Sequence, residues 1–252
     1  MARKRIVAGN WKMNMTIEEG RNWLRSFSRH HDLAQLVEEV IIFPPFTALA
    51  ALANDERGNL LQWGGQNLHE AGAGAYTGEI SGPMIRDCHA GWVLVGHSER
   101  RTLFQEQDDL IARKMRRAID SDLQPVLCVG ETLEERESGQ FMEVVARQVV
   151  RGLADFPQHA LDRLVIAYEP VWAIGTGKTA SPQDAQDMHQ HIRETLSSLY
   201  TQPVASSIRI LYGGSVKPEN AASLFACPDI DGGLVGGASL DPDQFAALLG
   251  IR

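Results

Sequence analysis

Cysteine is scarce in this chain. Only Cys88, Cys128 and Cys227 occur among 252 residues, far apart, with no CxxC pair. That excludes a disulfide framework and the usual zinc spacings, and it suits a reducing, cytoplasmic setting. Long apolar runs are missing too. The longest, Val40 to Ala53, is interrupted by Pro44-Pro45 and falls short of the roughly 20 residues a membrane span needs. The first residues carry positive charge but no apolar core of about 7–15 residues, so no signal peptide is expected. An excess of positive charge is also absent: Lys plus Arg number 24 against 32 for Asp plus Glu, a net charge of −8. Nucleic acid and anionic membranes are therefore excluded as partners, while a locally positive pocket for a small anion is not.

Two phosphate-binding signatures fail on inspection. Gly177-Lys178-Thr179 ends like a P-loop, but the first glycine would have to be residue 172, which is Trp172. Gly72-Ala73-Gly74-Ala75-Tyr76-Thr77 lacks the third glycine of GxGxxG and follows no strand directly. No cluster has metal-ligand spacing, and His189 and His191, two apart on a helix, do not face one ligand.

What the sequence does have is alternation. Apolar strands are read at 6–9, 39–43, 60–64, 91–95, 125–129, 164–167, 208–212 and 230–235. Helices are read at 16–30, 46–54, 105–121, 133–153, 181–199, 218–224 and 241–249, and a long Gly-rich loop at 66–81. Strand-helix alternation implies a parallel sheet, and eight units in about 250 residues match an α/β chain folded as a single (β/α)8 barrel domain over 1–252. An open doubly wound sheet is the alternative.

Polar residues gather where the strands end: Asn10, Lys12, His97, Glu169, Ser215 and Gly236. A barrel puts all such ends on one face, where active sites are built. Taken singly, each residue has a plain structural reading. Together they suggest chemistry. Glu169 ends a strand before Pro170 and an eleven-residue loop, long enough to serve as a lid over a general base. His97 precedes Ser98-Glu99, a helix start, and a helix N-terminus disfavours imidazole protonation. Lys12 is placed to act as a fixed cation, and the pairs Gly213-Gly214 and Gly236-Gly237 as a backbone cradle for phosphate after the last two strands.

The stretches Gly9 to Asn14, Gln66-Asn67, Ala75 to Glu79, Gly96 to Arg101, Leu127 to Glu131, Ala167 to Thr179, Tyr212 to Ser215 and Gly236 to Ala238 together resemble the triosephosphate isomerase family along nearly the whole chain. That enzyme is itself a standard example of a glutamate base paired with a neutral histidine under a closing loop. The resemblance implies interconversion of dihydroxyacetone phosphate and D-glyceraldehyde 3-phosphate, with no cofactor and no metal. It implies Glu169 as the base, His97 as the electrophile and Lys12 as the substrate-side cation. Asn10 is implied to meet a substrate oxygen, and Glu99 to support Lys12. Gly175, Ser215, Gly236 and Gly237 would grip phosphate, while Ile174 and Leu234 would close over the base. It further implies a homodimer in which Thr77, at the tip of the 66–81 loop, reaches a second copy. Another sugar-phosphate barrel, or a barrel acting only as a scaffold, would have no need for base, electrophile and lid together.

Overall fold

The computed structural model describes residues 3–30, 32, 39–173 and 180–251. Eight parallel strands close into a barrel in the order β1 to β8, with β8 hydrogen-bonded back to β1. They are β1 (Ile6–Asn10), β2 (Glu39–Phe43), β3 (Gln62–Gly65), β4 (Trp92–Val95), β5 (Gln124–Val129), β6 (Val165–Tyr168), β7 (Arg209–Tyr212) and β8 (Gly232–Val235). Every strand expected from the sequence is present, each end lying within two residues of its expected place.

Alternation along the strands explains the closure. Ile6 and Ala8 of β1 point inward and pack with Phe43, Trp92, Val126 and Leu234 in a fully enclosed core. Val7, Ile42, Val93, Leu127, Ile166 and Ile210 point outward into a second layer beneath the helices. Inward and outward faces are both buried, so the strands read as apolar runs rather than alternating ones. At roughly 1.5–3 kcal/mol for each large apolar side chain removed from water, these two layers are the main favourable contribution to the fold.

The helices are α1 (Ile17–Phe27), α2 (Phe46–Ala53), α3 (Gly82–Asp87), α4 (Ser98–Leu103), α5 (Asp108–Asp120), α6 (Leu133–Glu137), α7 (Phe141–Gly152), α8 (Pro182–Leu199), α9 (Gln202–Ser207), α10 (Pro218–Phe225) and α11 (Pro242–Leu249). Side-chain caps fix several starts. Thr16 accepts from Glu19 N–H at α1, and Ser181 accepts from Asp184 N–H at α8, each in a capping box.

The structure corrects three helix expectations. The helix expected over 133–153 is two helices. Gly139 adopts φ 78°, Gly139 N–H reaches Arg136 O at 3.1 Å, and Gln140 N–H reaches Glu135 O at 3.0 Å. These two bonds form a Schellman end that only a residue tolerant of left-handed φ supports. The helix expected from Gln105 starts at Asp108, because Gln105 itself sits at φ 56°. The helix expected through residue 30 ends at Phe27 and continues as one 3-10 turn, Ser28–His30. Helices α3 and α9 were not anticipated.

The ends of the chain are tied together at one atom. Trp11 Nε1, after β1, and Trp23 Nε1, on α1, both donate to the carbonyl of Ser239 at 3.1 and 3.0 Å. Ser239 lies in the turn that follows β8.

Candidate active site

Glu169 follows β6 directly, and its side chain is almost wholly buried. Two neighbours shape that position by what they lack. A Cβ on Gly213 would stand 3.0 Å from Glu169 Cγ, and a Cβ on Gly130 would stand 1.8 Å from the Glu169 carbonyl oxygen. The carboxylate is held at both oxygens. Oε2 accepts the Ser98 N–H at 2.9 Å, and Oε1 lies 2.8 Å from His97 Nε2.

His97 is the N-cap of α4, and its Nδ1 accepts the Glu99 N–H at 3.2 Å. That bond commits the Nδ1 lone pair, so the ring proton of the neutral imidazole belongs on Nε2, aimed at Glu169. Burial is the strongest single influence on His97 and opposes its charge. The adjoining Glu169 carboxylate and the nearby Glu99 outweigh it and raise the imidazole above its ordinary value. Burial likewise acts first on Glu169 and opposes its ionisation. His97, the Ser98 amide and Lys12 together overcome this and hold the carboxyl below its ordinary value. The raised imidazole departs from the sequence expectation that the helix N-terminus disfavours its protonation. The carboxylate contact is the stronger local field.

Lys12 takes a left-handed backbone, φ 53°, just after β1. Asn10 Oδ1 accepts its N–H at 3.0 Å and the Gln66 amide donates to its carbonyl at 2.8 Å. These bonds support a conformation that costs a non-glycine residue about 1–3 kcal/mol, a kind of strain that clusters at functional sites. Lys12 Nζ pairs with Glu99 Oε1 at 2.5 Å. Both groups are partly exposed, so the pair orients Lys12 more than it stabilises the fold.

A cavity of about 450 Å³ opens over these groups. Asn10, Lys12, His97 and Glu169 line it together with Gly213, Gly214, Ser215, Leu234, Gly236 and Gly237. Gly237 begins a 3-10 turn, so its first amides lack partners within the turn. A Cβ at Gly237 would meet nothing within 4 Å, so this rim is open to a ligand. The side chains expected from sequence therefore converge on one cavity. Glu99 stands behind Lys12. Thr77 is exposed on the 66–81 loop, away from the cavity. Ile174 and Gly175, with the expected lid tip, lie outside the described residues.

Sequence reasoning missed the Ser98 amide as the partner of Glu169, and Gln66 as the support of Lys12. The signal for Ser98 was its place at the first turn of a helix, where amides are free. It also missed Glu131, fully buried, which accepts from Tyr168 Oη at 3.0 Å, Trp172 Nε1 at 2.8 Å and Arg136 Nη1 at 3.1 Å. Burial raises its carboxyl, though each of these donors acts the other way. Among the described residues no group of three or more His, Cys, Asp or Glu side chains could hold a metal ion, and no helix is long and apolar enough to cross a membrane.

A closed eight-stranded barrel, with a buried carboxylate and imidazole facing each other beside a lysine at the carboxyl ends of its strands, defines a (β/α)8 enzyme built to move protons on a small substrate. Comparison with known proteins makes the assignment specific. The triosephosphate isomerase family matches residues 5–252. A relative from Moorella thermoacetica named triosephosphate isomerase is 51% identical over 247 residues, covering 98% of each chain. One of the same name from Finegoldia magna is 46% identical over 250 residues, again covering 98% of each. One from Chlamydia trachomatis serovar D is 47% identical over 246 residues, covering 98% of this chain and 89% of the relative. The chain belongs to the triosephosphate isomerase family, and it is an isomerase.

Proposed function

We propose that this chain interconverts dihydroxyacetone phosphate and D-glyceraldehyde 3-phosphate through an enediolate, with Glu169 as the base and His97 as the electrophile. The observation that carries the reading is the Glu169–His97 contact at 2.8 Å inside the cavity. In the ligand-free arrangement the two groups satisfy each other. A substrate entering between them gives each a new partner: a C–H for the carboxylate and a carbonyl oxygen for the Nε2–H. Once Glu169 turns to carbon, the larger of the two influences that raised His97 is gone. Burial and the Glu99 N–H then favour the neutral ring, which donates to the carbonyl without first losing a charge.

Lys12 opposes the negative charge that develops on the enediolate oxygen, and Asn10 bonds a substrate oxygen. Ser215, Gly236 and Gly237, with Gly175 from the loop, take the phosphate. Leu234 and Ile174 exclude water over the base, protecting an intermediate that would otherwise expel phosphate. No metal or cofactor takes part, and the whole chain works as one domain.

Met13, Tyr76, Met84, Leu103 and Phe104 are large apolar side chains left exposed on or next to the loops after β1, β3 and β4. Their exposure supports a homodimer, in which a second copy covers them and Thr77 reaches across. The setting we infer is cytoplasmic, within glycolysis and gluconeogenesis.

The test is isomerisation of glyceraldehyde 3-phosphate by the purified protein in EDTA, beside Glu169→Gln. Turnover in the wild type that falls by at least about 10²–10⁴-fold in the folded variant is expected. A folded wild type without turnover would overturn the reading.

A further inference from the structure

A second cavity, of about 210 Å³, lies behind the base. Ser98, Arg101, Thr102, Glu106, Gly130 and Val171 are among its walls. Among the described residues, Glu169 is the one that lines both this cavity and the substrate cavity. Ser98, whose N–H holds Glu169 Oε2 at 2.9 Å, lines only the second. The lining is strongly polar. Arg101 pairs with Asp108 at 2.6 Å, and both are walls. Glu106 is nearly buried and bonds Lys114 and Arg100 through Oε1, while its Oε2 has no hydrogen-bond partner among the described residues. A polar cavity of this volume, at about 30 Å³ per water, holds several waters, and an unpaired buried carboxylate oxygen is the kind of group they satisfy.

To reach a substrate carbon in the first cavity, the Glu169 carboxylate must leave the Ser98 amide. That amide and the space beside it then belong to the second cavity. Water entering there comes within one hydrogen bond of the carboxyl oxygen that faces away from substrate. The first cavity at that moment is filled by substrate.

We propose that this second cavity is the solvent port of the base, through which the hydron that Glu169 carries exchanges with bulk water between its two transfers; the proposal rests on the isomerase reading above. In the step, the carboxyl turns about its Cγ–Cδ bond and brings its O–H to the water. That O–H bond breaks as a water takes the hydron, a new carboxyl O–H bond forms with a hydron from the same water chain, and the reverse turn presents it to the substrate carbon. The carboxyl stays neutral, and nothing is oxidised or reduced. Exchange competes with delivery to the neighbouring substrate carbon, so the port sets how much substrate-derived hydrogen survives into product.

The experiment runs the isomerisation in D2O and reads, by proton NMR, the fraction of product that retains substrate hydrogen at the receiving carbon. Thr102→Trp and Gln107→Trp narrow the port from two elements, at exposed positions lining it and outside the catalytic groups. Retention is expected to rise at least about twofold in each, with kcat and KM within about twofold of wild type. A structural disturbance alone would lower kcat without raising retention, and that result counts against the port. Unchanged retention in both variants, or complete retention in wild type, overturns it. Absent turnover in wild type would instead sink the isomerase reading, so the two failures are distinct.

Discussion

His97 Nε2 and Glu169 Oε1 stand 2.8 Å apart, and neither is more than 8% exposed at its side chain. The proposed base and electrophile are thus stored against each other in a place where an unpaired charge would be costly.

One consequence concerns the imidazole. In the ligand-free protein, 15N NMR should find His97 titrating above its ordinary 6.5, the direction set by Glu169 against burial. In Glu169→Gln the opposing charge is gone and burial dominates, so the midpoint should fall below that of wild type. A midpoint that does not move on this substitution would mean that the carboxylate does not control the ring.

A second concerns acid stability. His189 is fully buried, its Nδ1 donates to the Asp229 carbonyl at 3.2 Å, and burial pushes it down from 6.5 to about 3. The unfolded chain takes up the proton near 6.5 and the folded chain does not, so this stability is full above 6.5 and is lost as pH falls toward 3. Between about pH 7.5 and pH 5 the loss is about 2 kcal/mol per chain. Urea unfolding of wild type and His189→Gln at both pH values should show a flatter acid limb in the variant.

A third concerns the space that Glu169 occupies. In Gly213→Ala the new Cβ meets Glu169 Cγ at 3.0 Å and the Tyr168 carbonyl at 3.1 Å. A displacement costing about 1–2 kcal/mol in the transition state lowers kcat roughly tenfold. Circular dichroism should stay that of the wild type. Unaltered kcat would show that Glu169, the proposed base, has slack in this direction.

A fourth concerns assembly. Thr77→Arg places a charged, longer side chain on the exposed loop proposed to enter the partner. Light scattering across a dilution series should show dissociation at higher concentration than for wild type. Identical curves would remove Thr77 from the interface.

The barrel was legible because its strands carry apolar runs buried on both faces, and because polar residues collect where those runs stop. Lys12, His97, Glu169 and Ser215 are far apart in sequence, yet each follows the end of a strand, β1, β4, β6 and β7 in turn, and closure of the sheet brings them to one cavity. What stayed hidden was set by backbone groups. Gly139 is an ordinary turn residue until its φ of 78° ends α6. The Ser98 amide carries no residue-type signal at all, since every non-proline residue has an N–H. Glu131 read as one more acid after a strand, and only its depth and its three donors set it apart.

The shared carbonyl of Ser239 bears on the order of events during synthesis. Trp11 and Trp23 are made 228 and 216 residues before the oxygen they both bond. Until it arrives, the segment carrying Lys12 lacks the anchor beside it, and the amides after β8 have no turn to sit in. Lys12 and the proposed phosphate rim therefore come into place in one closing event, so a nascent or truncated chain that stops before residue 239 lacks not one part of the proposed site but two.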